Sequence, residues 1–147
     1  MKTVELTRRY RFSASHRLYS DELTEEQNRA TFGKCANPHG HGHDYVLEVT
    51  VRGPLDEESG RVMDLDTMDG MVRDAVTGPM EHANLNVEVP EFASLVPTTE
   101  NLALVVQRRL AAAWRDVEKS RGFGSTGIAR VRIEETKRNS FEVGSLA

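Results

Sequence analysis

Alternating apolar and polar positions mark two strands in the first third of the chain. Between Val4 and His16 the even-numbered positions are mainly apolar, and the odd-numbered ones are mainly charged or hydroxylated. The alternation resumes at His39 and continues to Arg52. A period of two is typical of a strand that buries one face. We therefore predict two strands, one ending and the other beginning with histidines on the buried face.

The segments between the regular elements are polar or rich in turn residues. Residues 17–38 form a long connection in which positions 24–29 suit a short helical turn. Connections of this length in a compact domain are usually functional or mobile. Residues 61–63 could add a short strand, and residues 79–97 are predicted to be irregular.

Two stretches have the spacing of amphipathic helices. Asp64 or Asp66 would cap the first, which would continue to about Val76. The second begins after Thr98, has an apolar stripe at helical spacing and ends near Arg121. We predict helices in both places.

The last part of the chain returns to strand-like alternation. Residues 129–135 alternate, and a further strand begins at Phe141. The complete order predicts a single α+β domain over residues 1–147, with a four-stranded antiparallel sheet and two helices on one face.

Composition excludes several classes of protein. The formal net charge is −4 and the arginines are scattered, which argues against a nucleic-acid partner. No apolar run approaches the eighteen or so residues that span a bilayer, and the first residues lack the apolar core of a signal peptide. We expect a cytoplasmic protein without a membrane partner. A single cysteine cannot form an intrachain disulfide.

The histidines indicate a metal site. Antiparallel pairing of the first two strands would place His16 beside His41 and His43. Three neutral imidazoles can hold Zn²⁺ and leave a fourth position for water or substrate. The alternative is a set of polar strand-end histidines without a metal. His39 follows the same alternation as His41 and His43 but lies deeper in the loop, so we rank it last among the candidate ligands.

Four other residues could carry chemistry. Cys35 could be a metal ligand, an acid/base or nucleophile, or a small buried hydrophobe. His82 follows Glu81, which could orient it as a general base, although an exposed loop histidine is the alternative. Glu135 ends an apolar strand face, where it could bind paired N–H groups or reach solvent.

These motifs together resemble the 6-pyruvoyltetrahydropterin synthase family. The matching segments follow in order along nearly the whole chain: Phe12 to Leu18, Phe32 to Cys35 with Pro38, His41 to His43, Glu81 to Leu85, Thr98 to Asn101, and Glu135 with Thr136.

The resemblance implies a fold and an assembly. The family has the tunnelling fold, in which protomers join their sheets into a barrel. The barrel is a trimer, and two trimers stack into a homohexamer with active sites at subunit interfaces.

The resemblance also implies roles for individual residues. The metal ligands for zinc would be His16, His41 and His43. Cys35 and His82 would transfer protons, with Glu81 beside His82. The pterin ring would be anchored by Glu135, and the pocket would be lined by Thr98, Thr99 and Glu100.

The implied reaction is that of a carbon–oxygen lyase on a pterin triphosphate. The family converts 7,8-dihydroneopterin triphosphate to 6-pyruvoyltetrahydropterin, for tetrahydrobiopterin biosynthesis, by eliminating triphosphate and moving protons along the side chain. A sister branch makes 6-carboxytetrahydropterin from the same substrate for deazapurine synthesis. That branch has its cysteine closer to the His-Gly-His segment, whereas five residues separate Cys35 from His41 here. The spacing favours the pyruvoyl branch.

Two positions depart from the family pattern. Glu81 stands where the family has aspartate, and His39 stands where asparagine is expected. A third hypothesis is therefore a zinc- and pterin-binding homologue that Glu81 has impaired as a catalyst.

Overall fold

The first two strands form a long antiparallel pair. In this computed structural model, which describes residues 2–144, β1 runs over Thr3–His16 and β2 over His41–Pro54. Their register pairs Thr3 with Pro54 at one end and His16 with His41 at the other. The predicted pairing is confirmed, and β2 begins at His41 instead of His39.

Within residues 2–144 the sheet has five strands, so the prediction of four antiparallel strands is wrong. Three further strands complete it: β3 over Ala83–Asn84, β4 over Gly127–Thr136 and β5 over Asn139–Gly144. The order is β3-β1-β2-β4-β5. Of these strands, β3 is parallel to its neighbour, which makes the sheet mixed. A strand of two residues is too short to show a period in the sequence.

The helices lie in the connections between the strands. They are α1 over Glu25–Phe32, α2 over Leu65–Val72, α3 over Gly78–Met80, α4 over Leu85–Glu88 and α5 over Thr99–Arg121. Short 3₁₀ turns occupy Gly33–Ala36 and Pro90–Ala93. A π-helical turn over Arg73–Thr77 joins α2 to α3. None of the helices within residues 2–144 combines the length and apolarity needed to cross a membrane.

Two local predictions differ from the structure. Residues 61–63 do not form a strand, because Asp56 N–H donates to the Arg61 carbonyl and closes a turn there. Residues 79–97 are not irregular throughout, since α3, β3, α4 and a 3₁₀ turn lie in them.

The core lies between one face of the sheet and helices α2 and α5. Tyr45 and Leu47 enter it from β2, and Met68 enters it from α2. The apolar stripe predicted for α5 faces the same core through Leu102, Val106 and Leu110. These side chains are all fully buried, so the helices cover the apolar face of the sheet.

The opposite face of the sheet is polar. Charged side chains pair there: Arg132 pairs with Glu48 on the neighbouring strand β2, and Arg130 reaches across β2 to Glu5 on β1. The α+β class is confirmed, with one apolar face under the helices and one polar face.

One ion pair fixes the segment that leads into α5. Arg109 Nε and Nη2 donate to the two carboxylate oxygens of Glu91, at 2.6 and 2.7 Å, and Nη1 donates to the Ala75 carbonyl at 3.2 Å. This bidentate contact holds the turn Pro90–Ala93 against α5, shortly before Pro97.

Candidate metal and catalytic site

Three imidazole rings meet at one end of the β1–β2 pair. The register pairs His16 with His41 and Ala14 with His43, so the three histidines share one face of the sheet. The ring centroids of His41 and His43 are 4.4 Å apart, those of His16 and His43 are 5.0 Å apart, and those of His16 and His41 are 6.2 Å apart. The strand pairing therefore gathers the three rings.

The tautomer of His16 is set by a backbone carbonyl. His16 is 1% exposed, and its Nδ1 lies 2.9 Å from the Pro97 carbonyl oxygen. Because a carbonyl can only accept, Nδ1 carries the hydrogen and Nε2 keeps a free lone pair. Ligating histidines are commonly oriented by such a bond from the other ring nitrogen.

Two ring nitrogens in this cluster are buried and have no partner within residues 2–144. They are Nε2 of His16 and Nε2 of His43. Burial lowers the pKa of both imidazoles, which favours their neutral forms. Unpaired buried polar atoms are rare and costly, so their convergence fits a metal ion.

Cys35 joins this cluster through the fold of the long connection. One nitrogen of His16, one nitrogen of His43 and the Cys35 sulfur all lie within 4.8 Å of one another. His41 is outside this set of donor atoms, although its ring lies beside that of His43. The geometry thus defines a candidate metal site formed by His16, Cys35 and His43.

The Cys35 thiol is in an environment that disfavours the thiolate. Burial raises its pKa, and the negative charge of Glu135 raises it further, while Lys34 opposes the shift. Without a bound cation the side chain is therefore a protonated thiol at neutral pH.

Glu135 borders the histidine cluster from β4. It lies where the β4–β5 register shifts, between Glu134 and Thr136. The buried Thr99 hydroxyl donates to its Oε2. Thr98 caps α5 by accepting from Asn101 N–H at 3.2 Å, and Glu100 is exposed in the first turn.

Within the described residues, Glu81 and His82 are outside the donor set formed by His16, Cys35 and His43. His82 has a φ of +58° and a side chain that is 83% exposed. Its N–H donates to the Ser13 carbonyl at 2.6 Å. Glu81 Oε1 accepts from Ser13 N–H at 3.1 Å and lies 3.3 Å from His82 Nε2.

His82 lines a cavity of about 280 Å³ at the β1–β3 edge of the sheet. Its other polar residues are Ser13, Ser15, Asp44 and His43, the last of which also belongs to the histidine cluster. Cys35 is not among the residues that line this cavity.

Sequence reasoning missed three residues that shape the site. Pro97 orients His16, and Tyr45 is fully buried with its hydroxyl 3.5 Å from His16 Nδ1. Gly40 has a φ of +64°, and a Cβ there would lie 2.3 Å from the His16 carbonyl oxygen. Only glycine allows this close approach. Tyr45 lies two positions after His43 on the same strand and therefore on the same face. In the sequence, this spacing was the one indication of its place in the site.

Comparisons with known proteins agree on one family. Residues 5–145 match the family described as 6-pyruvoyl tetrahydropterin synthase. The chain is 46% identical over 134 residues to the 6-pyruvoyl tetrahydrobiopterin synthase of Poecilia reticulata, covering 91% of this chain and 85% of that one. It is 42% identical over 136 residues to the human protein of that name, covering 92% and 88%.

A solved structure and a more distant relative complete the comparison. The Caenorhabditis elegans 6-pyruvoyl tetrahydropterin synthase structure superposes with a TM-score of 0.87 at 36% identity, covering 99% of this chain and 98% of that one. A 6-carboxy-5,6,7,8-tetrahydropterin synthase of Aquifex aeolicus is 31% identical over 105 residues, covering 65% of this chain and 61% of that one.

Proposed function

The chain belongs to the 6-pyruvoyl tetrahydropterin synthase family, and from this premise we propose that it is a zinc-dependent 6-pyruvoyltetrahydropterin synthase. Its substrate would be 7,8-dihydroneopterin triphosphate, from which it eliminates triphosphate as a carbon–oxygen lyase. The observation that carries the proposal is the pair of buried, unpartnered Nε2 atoms of His16 and His43, which lie near Glu135 and Thr99 within the described residues.

The donor atoms suit a zinc ion. Neutral imidazole nitrogens are ligands that Zn²⁺ prefers. We assign the metal to His16, His41 and His43. In this assignment His41, whose ring centroid is 4.4 Å from that of His43, takes the place of Cys35 in the set of donor atoms within 4.8 Å, and Cys35 is kept as the proton-transfer group. When bound, zinc would supply Lewis-acid polarisation of the substrate's side-chain oxygens.

The other residues would bind substrate and move protons. Glu135 presents a carboxylate to the paired N–H groups of a pterin ring, and the Thr99 hydroxyl fixes its orientation. Thr98 and Glu100 lie on either side of Thr99 at the start of α5. The protonated Cys35 thiol can give its proton, and the thiolate that remains can take one back at its sulfur.

His82 would act in a neighbouring copy of the chain. Its ring is exposed and lines a cavity that does not include its own Cys35, with Glu81 3.3 Å from Nε2. We propose that protomers join into a barrel and stack as a homohexamer, so that His82 completes a site at a subunit interface. A cytoplasmic location is part of the same proposal.

The sister activity is the main rival. A 6-carboxytetrahydropterin synthase would use the same metal ligands and substrate. Five residues between Cys35 and His41 favour the pyruvoyl product, as does the higher identity to proteins named for it. The second rival is a zinc- and pterin-binding homologue in which Glu81 has impaired catalysis.

Product identification decides between these functions. Purified protein is incubated with 7,8-dihydroneopterin triphosphate, and the pterin product and triphosphate are quantified by chromatography and mass spectrometry. We expect 6-pyruvoyltetrahydropterin and one triphosphate per turnover. Acetaldehyde with a carboxypterin would establish the sister activity, and bound but unconverted substrate would establish the impaired homologue.

A further inference from the structure

The turn that carries Cys35 is held by the residues that follow β1. Leu18 N–H donates to the Cys35 carbonyl at 2.7 Å. Arg17 Nε donates to the carbonyl of the next residue, Ala36, at 3.1 Å. Two adjacent carbonyls of the 3₁₀ turn Gly33–Ala36 are therefore fixed from one short stretch of chain.

Arg17 is itself fixed by a side chain from a distant segment. Its N–H donates to Asn86 Oδ1 at 2.7 Å, and its carbonyl accepts from Asn86 Nδ2 at 2.9 Å. The Arg17 guanidinium carbon also lies 4.1 Å from the centre of the Tyr19 ring, a cation–π contact. Both the backbone and the side chain of Arg17 are thus held in place.

The other anchor of the connection does not reach Cys35. Asn28 of α1 is fully buried and bonds to backbone groups of Ser20, Leu23 and Thr24. Within residues 2–144, Arg17 is the residue whose side chain hydrogen-bonds to the turn Gly33–Ala36.

We propose that Arg17 is a positioning residue for Cys35, and that Asn86 fixes Arg17 for this purpose. The inference rests on the proposed function of Cys35 in proton transfer. A misplacement of about 1 Å in a reacting group can cost about 100-fold in rate. Arg17 therefore acts on turnover through Cys35 without touching the substrate.

The test compares Arg17→Met, Arg17→Gln and Asn86→Ala with Arg29→Gln. Arg29 is an exposed residue of α1 in the same connection, and its side chain makes no hydrogen bond or ion pair within the described residues. We expect Arg17→Met, which has no N–H donor, and Asn86→Ala to lower kcat by about 10- to 100-fold with little change in KM. Arg17→Gln keeps an N–H donor at the position of Nε, so its kcat should lie between those of Arg17→Met and the unchanged protein, and Arg29→Gln should match the unchanged protein.

A second readout needs no substrate. Hydrogen exchange at the Leu18 amide, which donates to the Cys35 carbonyl, should quicken by about tenfold in Arg17→Met, the equivalent of one weakened hydrogen bond. The same amide should be unaffected in Arg29→Gln. This measurement stands even if the protein does not convert the proposed substrate, so failure of the two proposals can be told apart.

Three results would overturn the inference. An increase in KM at constant kcat would show that Arg17 contacts substrate. Unchanged kcat and unchanged Leu18 exchange in Arg17→Met would show that the turn is held without the Arg17 side chain. A loss of turnover that only follows a fall in melting temperature, with no recovery in Arg17→Gln, would show a general structural role.

Discussion

Thr99→Val tests whether Glu135 is an oriented anchor for substrate. Thr99 is 2% exposed, and its hydroxyl donates to Glu135 Oε2. Valine has nearly the shape of threonine, so the change removes the donor and leaves no large cavity. Glu135 would keep its charge and lose the bond that fixes one of its oxygens.

The structure sets the size of the effect. A hydrogen bond to a charged group contributes about 1.5–3 kcal/mol. Glu135 is half-buried, so water replaces part of that bond and the lower figure applies. Since about 1.4 kcal/mol is a tenfold change in an equilibrium constant, KM should rise by about tenfold.

The assay pairs steady-state kinetics with thermal unfolding, and Thr50→Val is the matched control. Thr50 is also 2% exposed, and its hydroxyl bonds to that of Thr7 at 2.7 Å, far along the strand pair from the histidines. Both variants should lose about 1 kcal/mol of unfolding free energy. Only Thr99→Val should raise KM. Equal KM values in the two variants would refute the role given to Thr99.

Four other substitutions have distinct expected results. His16→Ala should lose bound zinc in elemental analysis, whereas Cys35→Ser should keep it; loss in both would assign the cysteine to the metal. Glu81→Asp should raise kcat if the extra methylene impairs His82, and an unchanged kcat would show that glutamate serves equally well. Hydrogen bonds from Arg8 and Tyr10 lower the pKa of Asp69, so its charge stabilises the fold above the unfolded-state pKa, and that contribution disappears as pH falls through the lowered value. Asp69→Asn should therefore cost up to about 1 kcal/mol at neutral pH, after solvent screening, and nothing in strong acid, as measured by denaturant unfolding at several pH values.

The long strands and α5 could be predicted because their signals are local. A period of two along most of their length identifies β1 and β2, and a capped apolar stripe identifies α5. In contrast, β3 could not be predicted, since two residues have no period and their pairing with β1 depends on how residues 79–97 fold. The helix predicted to reach about Val76 ends as α2 at Val72, because its apolar spacing continues through the π-helical turn Arg73–Thr77.

The histidine cluster could be predicted because the pairing of two antiparallel strands determines which of their residues lie opposite each other. Once β1 and β2 pair, His16 must lie beside His41. The place of Cys35 depends instead on α1 folding back and on bonds from Arg17 and Leu18. No sequence period encodes those contacts, so the residue pattern alone left the role of Cys35 open.

The position of His82 bears both on the proposed proton-transfer path and on the proposed assembly. Its backbone is bound to Ser13, at the edge of β1, and its exposed ring lines a cavity that does not include Cys35. If Cys35 and His82 share one proton-transfer path, we expect that path to cross between copies of the chain. Diluting the protein below the concentration at which the assembly dissociates should then abolish turnover. The metal should stay bound to the site that contains His16. A mixture of Cys35→Ala and His82→Ala chains should recover activity that neither variant has alone, because some interfaces would contain both intact residues.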